Sequence, residues 1–314
     1  MKIRLGTRGS QLALTQSRLV KQALESLGLN LEVDLIEIKT LGDRKQGTPL
    51  ASQSDKKDWV FELEEALNDF SIDLAIHSGK DIPIDIREGT DLKPILKREN
   101  PFDAFIGRLD PKTQQRLTFD ALPSGAIIGT ASLRRQAQLL RMRPDLKVVE
   151  HRGNVTTRVK KLDEVRDLSG IVLAHAGLKR LGLDALIDKT FDPQTLMPAV
   201  NQGTLVAQYR KADLPVQDVL QKCVDYQTQL TWIAERAVAH VLEGDCRSAI
   251  SIYAFLHGDQ LTIRARVLSH NGQQCLEASQ TGKHSEAERL GKQVGQDLLG
   301  QGARDILDRY SSSR

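Results

Sequence analysis

Short apolar runs alternate with stretches of helical periodicity from Ile3 to His175, and this alternation limits the possible folds more than any other feature. Ile3 to Leu5 reads as a short buried strand. Gly6-Thr7-Arg8-Gly9-Ser10 then leads into a helical run from Gln11 to about Leu27, with Leu12, Leu19, Ala23 and Leu27 on one face and Ser10 as its N-cap. Leu31 to Ile38 alternates as a strand. Thr40 to Asp58 is polar, contains Gly and Pro, is too long for a simple turn, and reads as a mobile loop. A helix from about Trp59 to Asn68 and a strand from Ile72 to His77 complete units of the kind that build a largely parallel sheet.

The pattern recurs. Ala126 to Ile128 is strand-like, Gly129-Thr130-Ala131-Ser132 is a turn, and Leu133 to Met142 is a helix. Lys147 to His151, Asn154 to Leu162 and Gly170 to His175 then read as strand, helix and strand. The Gly-Thr turns at Gly6 and Gly129, and the strands ending at His77 and His175, correspond between the halves. The expectation is two similar doubly wound domains facing a cleft, with ligands at the carboxyl ends of their strands. Crossings near Arg98–Asp103 and Met197–Gly203 would form a hinge. From Lys222 onward the pattern changes to a helix with Ile233, Ala237 and Val241, strands Ser251–Phe255 and Leu261–Val267, and a final helix from Ser285 to about Tyr310, which reads as a smaller α+β domain. The expected boundaries are 1–98 with 203–219, 104–197, and 222–314.

A chain of 314 residues suits two or three such domains. Its net charge of +3 is too small for a general nucleic-acid or membrane surface, so any cationic function must come from local clustering. Met1 to Gly6 lacks the apolar core of a signal peptide, and no apolar run approaches the roughly 18 residues of a membrane-spanning helix. A cytoplasmic protein is expected, and a monomer. Cys223, Cys246 and Cys275 are odd in number and lack CxxC spacing, so neither a disulfide framework nor a zinc site is indicated.

The arginines are placed unusually. Arg8 lies in a strand-to-helix turn, Arg134 and Arg135 in the first turn of a helix, Arg152 after a strand, Arg158 one helical turn onward, and Arg180 after a further strand. Helix N-termini already carry positive potential, so cations there are unfavourable unless an anion joins them. Guanidinium forks suit carboxylates and phosphates. No G-x-x-x-x-G-K-[ST] or G-x-G-x-x-G run follows a strand, which disfavours a nucleotide. No aromatic residues interleave Arg134, Arg135, Arg141 and Arg143, which disfavours nucleic acid. The set points to a polyanionic small ligand.

His77-Ser78-Gly79-Lys80-Asp81-Ile82-Pro83 ends a strand at the same expected face, where a carboxylate beside a lysine suits a general acid and a counter-charge. His77 and His175 have no carboxylate or thiol at ligand spacing and read as hydrogen-bonded core histidines, so no metal is expected. Cys246 lies in a polar loop beside Arg247, a setting that favours the thiolate.

In order along nearly the whole chain, Gly6-Thr-Arg-Gly-Ser-Gln-Leu-Ala13, Thr40-Leu-Gly-Asp43, Ile128-Gly-Thr-Ala-Ser-Leu-Arg-Arg-Gln-Ala-Gln138, Arg152-Gly-Asn-Val155, Ala176-Gly-Leu-Lys-Arg-Leu181 and Pro198-Ala-Val-Asn-Gln-Gly203 resemble the motifs of the porphobilinogen deaminases. That resemblance implies an α/β fold of two periplasmic-binding-protein-like domains plus a smaller C-terminal α+β domain. It implies polymerisation of four porphobilinogen units into hydroxymethylbilane with loss of ammonia, in tetrapyrrole biosynthesis. It further implies a dipyrromethane cofactor joined by a thioether to Cys246, with Asp81 as the catalytic residue. Ser78, Lys80, Thr130, Ser132, Arg134, Arg135 and Arg158 would bind the cofactor. Arg8, Ser10, Arg152 and Arg180 would bind the carboxylates of porphobilinogen and of the growing oligopyrrole chain. The sequence departs from the family pattern at Gly79, where a larger apolar residue is usual, at Phe102 for Arg, at Asn201 for Gly, and at Trp59, near a usual Phe. The same two-lobed architecture also serves solute-binding receptors and effector-sensing domains, and fold alone does not separate these from an enzyme.

Overall fold

Residues 1–41, 59–165, 167–243 and 248–311 are described by a computed structural model. The expected loop lies outside the described residues from 42 to 58, as does Cys246. The described residues form three sheets, and the chain divides into two compact units, Met1–Glu99 with Gly203–Trp232, and Asn100–Gln202 with Ile233–Arg314.

The first unit contains β1 (Lys2–Arg8), α1 (Gln11–Glu25), β2 (Glu32–Ile38), α2 (Phe61–Asn68), β3 (Leu74–Ser78), β4 (Thr90–Ile95), and, after the chain returns, β10 (Leu205–Arg210) and α6 (Leu214–Gln221). Its sheet has the order β2-β1-β3-β10-β4. β1 is parallel to β2 and β3, whereas β10 runs antiparallel to both β3 and β4. The sheet is therefore mixed rather than largely parallel, because the returning segment enters at the opposite end. Ile3, Leu5, Val33, Leu74, Ile76 and Tyr209 from the strands pack with Val20 and Leu24 of α1. Each such side chain contributes roughly 1.5–3 kcal/mol on burial. Ser10 caps α1 as expected, its Oγ accepting from the Ala13 N–H at 3.2 Å.

The second unit contains β5 (Asp103–Gly107), β6 (Ile127–Gly129), α3 (Leu133–Met142), β7 (Lys147–Val149), α4 (Val155–Glu164), β8 (Gly170–Ala174), α5 (His175–Arg180) and β9 (Lys189–Thr190). Their sheet order is β7-β6-β8-β5-β9, with β6 parallel to β7 and β8, and β5 antiparallel to β8 and β9. Helix α7 (Tyr226–Leu242) runs across the division between the units. The antiparallel meander β11 (Ala249–His257), β12 (Gln260–Leu268) and β13 (Cys275–Lys283) follows, with α8 (Ala287–Gly300) and α9 (Ala303–Ser311).

Two expectations change here. The final helix is broken, since Gly302 takes φ +93°, a left-handed conformation that ends α8 before α9 begins. β13 escapes a periodicity reading because Cys-Leu-Glu-Ala-Ser-Gln-Thr-Gly-Lys has too few apolar residues to mark one face. The C-terminal sheet also shares a unit with the second α/β layer. Ala137 of α3 is buried with Ala249 and Leu268, and Gly272 comes so near α3 that a Cβ there would lie 2.3 Å from the Ala137 carbonyl oxygen. Phe102 meets Tyr253 edge-on with centroids 5.4 Å apart, so the residue that replaces the family's usual Arg packs against this sheet. No described helix is long and apolar enough to cross a membrane.

Candidate active site

Because β1 and β3 are parallel neighbours, their carboxyl ends emerge at one edge of the first sheet, in register at Leu5↔Leu74 and Gly6↔Ala75. That brings Arg8, which is the last residue of β1 rather than part of the turn, and Ser10 beyond it to the same edge as Ser78, the last residue of β3, with Lys80 and Asp81 beyond it, where a doubly wound sheet places ligands. Gln16 reaches from α1 and its Nε2 donates to Ser78 Oγ at 2.9 Å, from a position only 4% exposed. Gly79 to Asp81 form a single 3-10 turn, pinned by the Gly79 N–H donating to the Thr204 carbonyl at 2.9 Å and by the buried Ile82 that follows. Lys80 and Asp81 remain partly exposed on this fixed turn. The Arg8 guanidinium lies over the Trp59 ring, 4.1 Å from its centroid, within the range of a cation–π contact. Beneath them His77 is buried, and burial, reinforced by the Arg8 charge and partly offset by Gln208, pushes its pKa down to about 4.

The second unit repeats the scheme. β6 leads to Thr130 and Ser132, β7 leads to Arg152, and β8 leads into α5; these three parallel strands release their turns at one edge. The Thr130 N–H donates to the Val149 carbonyl at 2.9 Å, the Ser132 N–H to Thr130 Oγ1 at 3.2 Å, and Ser132 Oγ accepts from the Arg135 N–H at 3.4 Å as the cap of α3. Gly129 is required by close approach, since a Cβ there would lie 2.9 Å from that of His151. Gly153, at φ +123°, turns the chain between Arg152 and α4. Arg152 pairs with Glu150, and the Arg158 backbone carbonyl accepts from His151 Nε2 at 2.9 Å. Arg180 closes α5 rather than following β8 directly, about 9 Å further along the helix axis at 1.5 Å per residue.

Arg134 and Arg135 are 5% exposed and share one carboxylate, that of the wholly buried Asp103. Arg134 Nη1 lies 2.7 Å from Asp103 Oδ2, and Arg135 Nη2 lies 2.8 Å from Oδ1, to which Arg135 Nε donates at 3.0 Å. Gln202 Nε2 donates to the same Oδ1 at 3.0 Å. Backbone carbonyls of Met197 and Val172 accept from Arg134 and Arg135 at 2.7 and 3.0 Å. Burial would raise the Asp103 pKa, but the two guanidiniums outweigh it and hold the carboxyl well below its ordinary range. The anion that arginines at the start of a helix demand is thus supplied, at α3, by the chain itself. Asp103 and Gln16 carried no chemical signal in the sequence, Gln202 was visible only as part of the Pro198–Gly203 motif and Trp59 only as a departure from the family pattern; only strand pairing sets Asp103 opposite Ala174 and beside α3.

Within each unit, strand ends that carry arginines and hydroxyls, and in the first unit a lysine and a partly exposed carboxylate, lie on a mixed α/β frame of the doubly wound class, whose ligand sites fall at the carboxyl ends of the strands. Residues 3–218 match the family described as porphobilinogen deaminase, dipyromethane cofactor binding domain, and residues 229–300 match the porphobilinogen deaminase C-terminal domain. A porphobilinogen deaminase of Geobacter sulfurreducens is 40% identical over 306 residues, covering 98% of this chain and 94% of the relative. The chain belongs to the porphobilinogen deaminase family and carries its dipyrromethane cofactor-binding domain. Among solved structures, the methionine-binding protein MetQ is 13% identical over 75% of this chain and 91% of its own, with a TM-score of 0.43. The VFT2 domain of Bordetella pertussis BvgS is also 13% identical, over 71% and 86%, with a TM-score of 0.43. These last likenesses are of fold only.

Proposed function

We propose that this chain joins porphobilinogen units head to tail with release of ammonia, yielding the linear tetrapyrrole hydroxymethylbilane. The observation that carries this reading is the position of Asp81, a partly exposed carboxylate on a pinned turn at the strand edge that also bears Arg8 and Lys80, in a chain 40% identical to a porphobilinogen deaminase over 98% of its length.

In this reading Asp81 delivers a proton to the aminomethyl nitrogen of porphobilinogen, the C–N bond breaks, and ammonia leaves with the bonding pair. The carboxylate that remains lies against the methylenepyrrolenine cation and stabilises it. Arg8, Ser10, Arg152 and Arg180 take the acetate and propionate groups of the substrate and the growing chain. Trp59 and the 3-10 turn keep Arg8 and Asp81 in place between cycles.

The donors present suit a group bearing carboxylates: hydroxyls of Ser78, Thr130 and Ser132, the Lys80 ammonium, and the guanidiniums of Arg134, Arg135 and Arg158. Cys246 is the residue assigned to its thioether. When bound, the dipyrromethane supplies the nucleophilic pyrrole carbon from which the chain grows. Arg134 and Arg135 act there from fixed positions, because Asp103 and two backbone carbonyls hold their guanidiniums. Gln16 orients the Ser78 hydroxyl in the same way.

The test is to incubate the purified protein with porphobilinogen, acidify and oxidise, and follow uroporphyrin absorbance with time. Turnover is expected in the native chain and is expected to fall by about 10²–10⁴-fold in Asp81→Asn. Absence of uroporphyrin from folded native protein overturns the proposed reaction, and normal turnover in the variant removes Asp81 from it.

A further inference from the structure

Arg152, a proposed ligand for substrate carboxylates, is already engaged by one from the chain itself: its Nε donates to the carboxylate of Glu150. The two residues flank His151 just beyond β7, whose Val149 carbonyl accepts from the Thr130 N–H at 2.9 Å. Glu150 therefore belongs to the same strand edge as Thr130 and Ser132. His151 is 7% exposed; its Nε2 lies 2.9 Å from the Arg158 carbonyl, and its Cβ leaves no room for one on Gly129. That buried anchor fixes the backbone that carries both Glu150 and Arg152.

The first unit has a counterpart. Glu37, opposite Thr7 in the register of β1 and β2, sets its carboxylate so close to Gly9 that no Cβ would fit there, between Arg8 and Ser10. In the second unit Gly129 pairs with Val149, so the next position, Glu150, falls opposite Thr130, the equivalent place. Each edge thus carries a carboxylate from the neighbouring strand beside groups that the proposed reaction uses, and that reaction gives the carboxylate no part.

Burial separates the Glu150 pair from the Asp103 cluster. Asp103 is wholly buried with Arg134 and Arg135, whereas the side chains of Arg152 and Glu150 are 30% and 33% exposed. An ion pair open to water is worth at most about fivefold in an equilibrium constant, because water screens it and two long side chains lose freedom in holding it. A second carboxylate can therefore displace Glu150 where none can displace Asp103. Displacement returns Glu150 to water and leaves the Arg152 charge neutralised, so no buried charge is stranded.

We propose that Glu150 is an exchangeable partner of Arg152, giving up the guanidinium to a carboxylate of porphobilinogen or of the growing chain and taking it back when that carboxylate leaves. The proposal rests on the reading of Arg152 as a ligand of those carboxylates. Glu150 is then a positioning residue that acts through Arg152. It keeps the guanidinium at the edge between additions and weakens the hold on any one carboxylate, as suits a chain that must move on with each unit added.

Glu150→Gln keeps the shape of the side chain and removes the competing charge. It is expected to lower KM for porphobilinogen about two- to fivefold, with kcat within about twofold of native. If Glu150 merely fixed Arg152 in place, KM would rise instead. Glu164→Gln is the control for net charge: at the far end of α4 it lies about 14 Å along the helix axis from the Arg152 turn, beyond the ~8 Å screening length, and should leave KM unchanged. Calorimetric titration of porphobilinogen into Asp81→Asn, with and without Glu150→Gln, reads the exchange without turnover, and the dissociation constant should fall by the same factor. If the native protein yields no uroporphyrin, the proposed reaction fails and the titration still decides the exchange. An unchanged or raised KM in Glu150→Gln, an equal fall in Glu164→Gln, coincident titrations, or no binding of porphobilinogen at all would each overturn it.

Discussion

Replacing Asp103 by Asn is the sharpest perturbation available in the second unit, because one unexposed carboxylate serves two guanidiniums that are themselves 5% exposed. Asn keeps the volume and one carbonyl oxygen but removes the charge, leaving Arg134 and Arg135 with the Met197 and Val172 carbonyls as partners. Two cations then stay buried side by side without compensation. Removing one partner of a buried pair costs about 3–5 kcal/mol, and that range is the expectation here. At about 2–4 °C per kcal/mol for a unit of this size, the midpoint of thermal unfolding should fall by roughly 6–20 °C. Calorimetry would measure this, and native-state hydrogen exchange would place the loss in α3 and β5. The pH dependence supplies a second check. The folded-state pKa of Asp103 lies below that of the unfolded chain, so its contribution is fully present above about pH 4 and is lost as pH falls through the folded value. The gap between native and Asp103→Asn proteins should therefore be constant near neutrality and narrow only in acid. A loss below about 1 kcal/mol, or a gap that narrows between about pH 8 and 6, would refute this account of the network.

His77 titrates near 6.5 when unfolded and near 4 when folded, so its neutral burial contributes stability above about pH 6.5 that drains away as pH falls toward 4. Between about pH 7 and 5 the first unit should lose about 2 kcal/mol by denaturant titration, and His77→Gln should flatten that slope; an unchanged slope would assign it to other groups. If Trp59 steadies Arg8 through the contact at 4.1 Å, Trp59→Leu should raise KM for porphobilinogen about 2- to 30-fold with kcat little changed, and Trp59→Phe should recover part of the loss. A Leu variant with native KM would show that the ring does not position Arg8.

Periodicity and turn chemistry in the sequence determine the local elements that carry the candidate site. α1 with its Ser10 cap, α3 from Leu133 to Met142 and β8 could be read within a residue or two, because each is fixed by contacts between near neighbours in the chain, whereas β1 runs on to Arg8, three residues beyond the expected Leu5. The motifs around Arg8, Asp81, Arg134 and Arg152 were equally visible, since strand-to-helix turns have a recognisable composition. What the sequence does not encode locally is which distant segments pair. β5 and β10 are short, almost wholly buried strands with no alternation to announce them, and their antiparallel insertion turns an expected parallel sheet into a mixed one. Asn201, at φ +54° where the family usually has Gly, becomes intelligible only when its backbone is seen in the left-handed region that Asn tolerates. The arginines show the division most clearly. Their number and their helix-start positions, read from the sequence, require an anion. Only the tertiary structure decides that at α3 this anion is Asp103, because a charge is neutralised by what lies beside it in space, and strand pairing sets that neighbour irrespective of distance along the chain.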